Sequence, residues 1–419
     1  MLALVWGMAL WSGCGASNPG STPDAPAPSE TAGASLGPVA RVRPGIDVLI
    51  SDSIGLVRGR RIGLVTNQSG IGASGAGDVE LMRGAGLNLV ALFSPEHGFR
   101  GAANPGAVVA TTIDSATGLP IYSLYGRTSA PTDSMLAGVE VMVVDLQDAG
   151  ARYYTYISTT VEVMKAAARH GIPVIVLDRP DPIGGAVQGN VLDPAFTSFV
   201  GRLEVPMRYG MTLGELARLA NADFAIHSRL AVVPAAGWRR DMALDDAGLP
   251  FVPPSPNLRT LESLFHYPGT CLFEGTNLSV GRGSDAPFEQ VGAPWLDTTA
   301  VLARIRAERL PGVAFASTSF TPRQPGDGKY ADTLLAGIRL RVTDRKRYDP
   351  TVTAIHLMGA IRGAQPGRIR WTPAQFDRLA GGSTLRTALE AGRPAAEIVA
   401  PWAEALRRFE ERRRPFLIY

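Results

Sequence analysis

The stretch VEVMVVDLQDAGARYYTYISTTVEVMKAAARHGIPVIVLDRPDP, residues 139–182, indicates the fold of this protein. It begins with an apolar run at 139–146 and continues through a helical pattern at 155–170, and a second apolar run follows at 172–178. Continuous runs of Val, Ile and Leu are typical of parallel strands that are buried on both faces. The stretch therefore predicts a strand–helix–strand unit.

Similar patterns lie on both sides of this unit. They predict strands at 61–67, 87–93 and 230–235, a helix at 78–86, and a helix that begins with a capping box of Thr212 and Glu215. Strands that alternate with helices form parallel sheets covered by helices. We therefore expect an α/β fold with a Rossmann-like parallel sheet domain over residues 41–235.

The second half of the chain has a different pattern. It predicts helices near 258–265, 298–308, 350–362 and 383–391 and at the C-terminus, together with a strand at 338–344. A glycine-rich stretch, FEGTNLSVGRGS, lies between the first two of these helices. We interpret residues 236–419 as a smaller α+β C-terminal domain.

The first 40 residues are typical of an exported protein. The apolar start MLALVWGMALWSGCG is too short for a permanent membrane helix and resembles a secretory signal that ends at Cys14. Residues 15–40 are rich in Ser, Pro, Ala and Gly, which is typical of a flexible linker. We predict a lipoprotein signal peptide at 1–14 and a periplasmic protein that contacts the membrane only through a lipid on Cys14.

Composition and missing motifs exclude several classes of function. A net charge of +3 over 419 residues provides no basis for a nucleic-acid groove. After Cys14 the only cysteine is Cys271, which excludes an internal disulfide in the mature chain and a zinc site built on thiolates. The chain lacks a Walker A loop, an HExxH motif, a GxSxG motif and a GxGxxG motif opening a helix after the first strand. We therefore expect neither a cofactor nor a metal.

Polar residues follow each predicted strand, where parallel sheets bind their ligands. Those that follow the four main strands include Asn67, Gln68, Glu96, His97, Asp148, Arg152, Tyr154, Asp178 and Arg179. An adjacent acid and imidazole at a strand end, with glycines nearby, favour a functional site. For the others a structural alternative stands: Asp178 and Arg179 as an ion pair that holds the loop, and Asn67 and Gln68 as turn residues.

Taken together, the motifs of this chain resemble the exo-β-N-acetylmuramidase NamZ family. They are TNQSG, LFSPEHGFRG, YSLYG, DLQDAGARYYTYISTT, LDRPDPIGG, MRYGMTLGELA, PSPNL, FEGTNLSVGRGSDAPFEQVGAPW and PFLIY, in this order over residues 41–419. The resemblance implies release of N-acetylmuramic acid from the non-reducing ends of peptidoglycan fragments, in a cleft between the two domains. It also implies that Glu96, in SPEHG, is the leading catalytic candidate.

The residue types suit this chemistry. Glycoside hydrolysis commonly uses one carboxylic acid to protonate the leaving oxygen and a second group that handles water or attacks the sugar. We expect Glu96 to be the acid or acid/base and His97 to tune it or bind substrate. The candidates for the second carboxylate are, in order, Asp148, Glu274 and Asp178.

Substrate binding has its own candidates. An arginine fork suits the lactyl carboxylate of muramic acid, and Arg152 and Arg282 are the candidates for it. Tyr153, Tyr154 and Trp295 are candidates to stack on a sugar face, and for each of them a buried structural aromatic is the alternative. The remaining candidates are Asn67, Gln68, Asn257 and Asn277.

Two other functions compete with this hypothesis. One is another cell-wall sugar hydrolase, an esterase or a deacetylase, whose serine or metal motif the sequence does not show. The other is a non-catalytic envelope protein that binds muropeptides, which would need arginine and aromatic residues but not Glu96.

Overall fold

The structure, a computed structural model, describes residues 42–419. The predicted signal peptide, the lipidated Cys14 and the linker up to residue 40 lie outside the described residues. From residue 42 to the C-terminus, no helix has the length and apolar character needed to cross a membrane.

Strands and helices alternate through the first half of the described chain. The strands are β1 (Arg61–Thr66), β2 (Asn88–Ser94), β3 (Thr112–Ile113), β4 (Pro120–Ser123), β5 (Val141–Asp145), β6 (Val174–Leu177), β7 (Gln188–Val191), β8 (Pro206–Arg208), β9 (Leu230–Val233), β10 (Gln290–Ala293), β11 (Val313–Phe320) and β12 (Leu335–Val342). The helices are α1 (Gly45–Asp52), α2 (Asp78–Gly84), α3 (Asp133–Leu136), α4 (Tyr156–Arg169), α5 (Leu213–Asp223), α6 (Leu261–Thr270), α7 (Thr298–Ala307), α8 (Pro350–Ala364), α9 (Pro373–Ala380), α10 (Thr384–Glu390), α11 (Ala395–Val399) and α12 (Trp402–Arg413).

The main sheet has the strand order β3-β4-β2-β1-β5-β6-β9, and all its neighbouring strands are parallel except β3 and β4. The chain runs outward from β1 through β2 to β4 and then crosses back to β5, β6 and β9. This reversal makes the gap between β1 and β5 the topological switch point, beside which ligands bind in such sheets. The predicted Rossmann-like α/β class is confirmed.

Helices cover both faces of this sheet, as the apolar runs predict. Along β5, Val141 and Val143 pack into one core with α1 and α2, while Met142 and Val144 pack into the other with α4 and α5. A strand that is buried on both faces needs apolar residues at consecutive positions. That is why the sequence shows β1, β2, β5 and β6 clearly.

The second half is built around a smaller antiparallel sheet, in the order β10-β12-β11. The strand predicted at 338–344 is β12, which begins three residues earlier, at Leu335. Strand β11 was not predicted, because only Phe315 and Phe320 of its eight residues are buried and they are separated along the strand. A predominantly parallel sheet followed by this smaller α+β region agrees with the predicted class.

One continuous core of buried residues runs through both halves. It includes Val144 and Met164 from the first half together with Phe273, Ile338 and Ile355 from the second. The predicted division of the chain at residue 235 stays a prediction.

Candidate active site

A cavity of about 120 Å³ lies beyond the carboxyl end of β2, and both halves of the chain contribute to its wall. Its lining residues are Glu96, His97, Pro105, Tyr153, Tyr154, Thr155, Val200, Ser255, Leu258, Tyr267, Cys271, Glu274, Arg282, Phe288 and Leu379. The structure therefore brings together five of the predicted site residues from distant parts of the chain. They are Glu96, His97, Tyr154, Glu274 and Arg282.

Glu96 lies two residues beyond β2, and its carboxylate is held by two hydrogen-bond donors. The Gly106 backbone N–H donates to Oε1 at 2.9 Å, and the Thr155 hydroxyl donates to Oε2 at 2.8 Å. The Tyr125 hydroxyl lies beside Glu96, whose negative charge helps to raise the pKa of Tyr125. Only 8% of Glu96 is exposed, so its carboxylate is presented to the cavity in a fixed, largely dry setting.

His97 follows Glu96 in a strained turn, with a φ of 72°. Its Nδ1 lies 2.8 Å from the carbonyl oxygen of Ala103. A carbonyl can only accept, so Nδ1 carries a proton, and Nε2 of the neutral ring is an acceptor. Burial lowers the pKa of His97 and thereby favours this neutral form. His97 is therefore suited to accept a hydrogen bond from a substrate hydroxyl or amide.

Glu274 and Arg282 form a buried ion pair in the wall of the cavity. Burial by itself lowers the pKa of Arg282, but the Glu274 carboxylate outweighs this effect and the pKa lies above its ordinary value. Arg282 uses only its Nε toward Glu274, and its two Nη groups have no hydrogen-bond partner within residues 42–419. These free donors can bind an anionic group of a ligand.

An aromatic wall completes the cavity. The guanidinium of Arg282 stacks on Phe288 at 4.9 Å from the ring centroid, and Tyr267 meets Phe288 edge-on at 4.9 Å. Phe288 has a φ of 65°. It is therefore, like His97, a non-glycine residue of the cavity wall with a strained backbone. Such strain is concentrated at functional sites, because the surrounding structure must maintain it.

Asp148, the first candidate for the second carboxylate, does not line the cavity. Its Oδ2 accepts hydrogen bonds from the Gly150 N–H, at 2.8 Å, and from the Tyr209 hydroxyl. Burial raises the pKa of Asp148 to about 6. These contacts close a turn after β5, so of the three candidates only Glu274 shares the cavity with Glu96.

Arg152 lies in the protein interior rather than at the cavity surface. Its Nη groups donate to the carbonyl oxygens of Asn190, Val205, Leu379 and Ala380 at 2.7 to 3.1 Å. The guanidinium thus joins segments from both halves of the chain. This geometry favours Arg282 over Arg152 as the fork for a carboxylate ligand.

The Asp178 carboxylate accepts hydrogen bonds from residues at the start of α5 and from the C-terminal residue. Its Oδ1 accepts from the Gly214 N–H at 2.8 Å, and its Oδ2 accepts from the hydroxyls of Thr212 at 2.6 Å and Tyr419 at 2.9 Å. The structural alternative of an ion pair between Asp178 and Arg179 is wrong. Arg179 instead forms two hydrogen bonds with Asp145, at 2.5 and 2.9 Å, because the side chains at 178 and 179 point in different directions.

Asn67 and Gln68 follow β1 at the switch point but lie outside the cavity. The Asn67 amide donates to the Tyr156 hydroxyl at 2.6 Å and accepts from Ser69, and Gln68 donates to the carbonyl of Pro253 at 2.9 Å. These contacts are those of turn residues. Both side chains border a larger cleft of about 980 Å³ along α2.

The two remaining asparagines differ from each other. Asn277 pins a neighbouring segment through the Arg368 carbonyl at 3.1 Å and the Arg370 N–H at 2.8 Å. The Asn257 side chain forms no hydrogen bond with residues 42–419, and its neighbours Ser255 and Leu258 line the cavity. Asn257 is thus the better placed of the two for a ligand.

Sequence reasoning missed the residues that hold Glu96. Tyr125 follows β4, which has only four residues and gives no clear apolar run. Its motif YSLYG and the strand-end rule together could have indicated it. No group of three or more His, Cys, Asp or Glu residues able to hold a metal occurs among the described residues.

Comparisons with known proteins identify the family of this chain. Residues 62–262 match the family described as Exo-beta-N-acetylmuramidase NamZ, N-terminal, and residues 265–419 match Exo-beta-N-acetylmuramidase NamZ, C-terminal. The chain is 43% identical over 382 residues to the peptidoglycan beta-N-acetylmuramidase NamZ of Bacillus subtilis (strain 168), covering 90% of this chain and 92% of that protein.

Solved structures show the same fold. Two DUF1343 family proteins from Bacteroides fragilis NCTC 9343 are each 32% identical to this chain. One superposes with a TM-score of 0.84 over 91% of this chain and 100% of its own, and the other with a TM-score of 0.74 over 90% and 99%.

Proposed function

The chain belongs to the NamZ family of exo-β-N-acetylmuramidases, and on this basis we propose that it is itself a glycoside hydrolase that releases N-acetylmuramic acid from the non-reducing ends of peptidoglycan fragments. One observation supports the proposal most strongly. Glu96 and Arg282, whose Nη groups bond to no described residue, line the same cavity. An acid and an anion-binding group side by side are what cleavage of a carboxylate-bearing sugar requires.

Glu96 is the acid or acid/base in this proposal. It protonates the glycosidic oxygen as the bond to the anomeric carbon breaks, and a second carboxylate assists water or attacks the sugar. Glu274 is the second carboxylate, since it shares the cavity with Glu96 and is held in place by its ion pair with Arg282. His97, neutral with Nε2 as an acceptor, orients a sugar hydroxyl or the acetamido N–H.

Arg282 recognises the lactyl carboxylate, the group that distinguishes N-acetylmuramic acid from N-acetylglucosamine. Its Nη donors are free, and a guanidinium binds a carboxylate through two parallel hydrogen bonds. The aromatic residues Tyr154 and Phe288 supply apolar surface for the sugar ring.

We place the enzyme in the cell envelope, exported and held by a lipid on Cys14. The apolar start of the sequence and the Ser/Pro-rich stretch up to residue 40 support this location. Peptidoglycan fragments as substrate agree with it. Labelling the expressing cells with a radioactive fatty acid tests the lipid, and a Cys14→Ser variant that still takes up label would refute it.

The enzymatic proposal is tested with chromogenic β-N-acetylmuramide and β-N-acetylglucosaminide, for the purified wild type and Glu96→Gln. We expect release from the muramide only, and a loss of about a thousandfold in kcat for Glu96→Gln. Glutamine keeps the shape of the side chain but cannot transfer the proton.

A matched control is Glu140→Gln, which changes an exposed glutamate that pairs with Arg61 and does not line the cavity. Its kcat should equal that of the wild type. If the wild type binds muropeptides but cleaves neither substrate, the hydrolase proposal is wrong and a non-catalytic muropeptide-binding function takes its place.

A further inference from the structure

Thr155 precedes α4 at the position where a threonine hydroxyl normally caps a helix. Here the hydroxyl makes no cap hydrogen bond with the helix. It donates instead to Glu96 Oε2 at 2.8 Å, and the residue is buried. The chain thus forgoes a local contribution to helix stability at this position in favour of a contact with the catalytic carboxylate.

Tyr125 reaches Glu96 from a different element, the end of β4. Its hydroxyl lies beside Glu96, and its ring packs against Phe199 with centroids 6.0 Å apart. Burial and the neighbouring Glu96 carboxylate raise the pKa of Tyr125 to about 12. The phenol therefore stays protonated, and available as a donor, across the pH range of ordinary assays.

The second observed donor, the Gly106 N–H, belongs to the segment between β2 and β3. Thr155 and Gly106 thus occupy both oxygens of the carboxylate, and Tyr125 approaches it from a third segment. A side chain held in this way loses little freedom when substrate binds, so its reactive geometry is established in advance.

We propose that Tyr125 and Thr155 are positioning residues of the muramidase, which hold the Glu96 carboxylate in its reactive orientation through their hydroxyl groups. The inference rests on the proposed function, because it assigns the two residues to the catalytic step that Glu96 performs. Neither residue needs to touch the substrate. Removing either hydroxyl should slow the chemical step rather than weaken substrate binding.

The experiment compares Tyr125→Phe and Thr155→Val with the wild type on the chromogenic muramide. We expect kcat to fall about tenfold to a hundredfold for each variant, while KM changes by less than about threefold.

Two further variants make the test specific. Thr155→Ser keeps the hydroxyl and should restore most of kcat. Tyr122→Phe removes a phenol hydroxyl from β4, three residues before Tyr125. The Tyr122 ring packs on Phe93 and its hydroxyl bonds to no described residue, so the kcat of this variant should equal that of the wild type.

Each outcome decides the inference. An active wild type with unchanged kcat in both hydroxyl-deleted variants overturns it and leaves the proposed function standing. A rise in KM with unchanged kcat also overturns the inference. So does a Thr155→Ser variant that folds but does not recover kcat. A wild type that cleaves no muramide refutes the proposed function and the inference together. Should Thr155→Val fail to fold, Tyr125→Phe decides alone, because Tyr125 is only half-buried.

Discussion

The carboxyl ends of β2 and β6 both lead into a buried carboxylate, but the surroundings of the two groups differ. Glu96, beyond β2, faces a cavity that also contains His97 and the pair of Glu274 and Arg282. Asp178, directly after β6, faces the start of α5 and the C-terminal Tyr419. Both carboxylates accept hydrogen bonds at each of their two oxygens, so the presence of donors does not separate them.

The difference lies in what the donors belong to. The donors to Asp178 belong to the start of α5 and to the C-terminal residue, and Asp178 does not line the cavity that contains Glu96. The donors to Glu96 leave it in contact with open volume. A position after a parallel strand therefore locates the functional edge of a sheet, and an adjoining cavity is what distinguishes the functional residue.

The largest effect should come from removing the structural carboxylate. Asp178→Ala leaves the Gly214 N–H and the hydroxyls of Thr212 and Tyr419 without their acceptor in a buried place. We expect the free energy of unfolding in urea to fall by about 3 kcal/mol. The kcat of the protein that remains folded should stay within about twofold of the wild type.

Asp241→Ala provides the control, since Asp241 is an exposed partner of Arg239, and its unfolding free energy should change little. If Asp178→Ala lowers kcat without lowering the free energy of unfolding, the distinction drawn between Glu96 and Asp178 is wrong, because Asp178 would then belong to the active site.

A smaller effect should appear at the anion-binding group. Arg282→Lys keeps the charge beside Glu274 but loses the planar fork. We expect affinity for N-acetylmuramic acid, measured by calorimetric titration, to fall about tenfold, with little change for N-acetylglucosamine. Arg407→Lys on exposed α12 is the matched control. Equal losses for both sugars would contradict recognition of the lactyl carboxylate by Arg282.

The smallest effect concerns Asp181, whose carboxyl group is buried. Its Oδ2 accepts no hydrogen bond, whereas both oxygens of Glu96 and of Asp178 do. Burial, with a further contribution from Asp148, raises the pKa of Asp181 to about 8. The folded protein then keeps a proton that the unfolded chain releases above its ordinary pKa near 3.8. The free energy of unfolding should therefore decline as the pH rises from about 4 to about 8.

Asp181→Asn removes this titration. Urea unfolding at pH 5 and pH 8 should show a decline that is smaller than in the wild type by at least about 1 kcal/mol. Asp148 and Asp178, whose pKa values burial raises to about 6, keep part of the decline in both proteins. Equal declines in the two proteins would show that Asp181 is ionised throughout.

Much of the main sheet could be predicted from the sequence, because strands buried on both faces must be apolar at consecutive positions. Strand β11 could not, since its exposed side chains leave no such run. At the site, Glu96 and His97 followed from the strand-end rule. Tyr125 was missed because the strand before it is short, and Arg152 was assigned to the substrate although its donors bind backbone carbonyls.

By itself, the sequence determined the α/β class, the edge of the sheet that carries the site, and the family, through motifs that occur in order along the chain. Only the tertiary structure decided which polar residues face the cavity, and it chose Glu274 and Arg282 over Asp148, Asp178 and Arg152. The physical reason is that burial of a strand leaves a periodic signal in its own residues. The direction of a polar side chain depends instead on donors and acceptors from segments a hundred or more residues away in some cases.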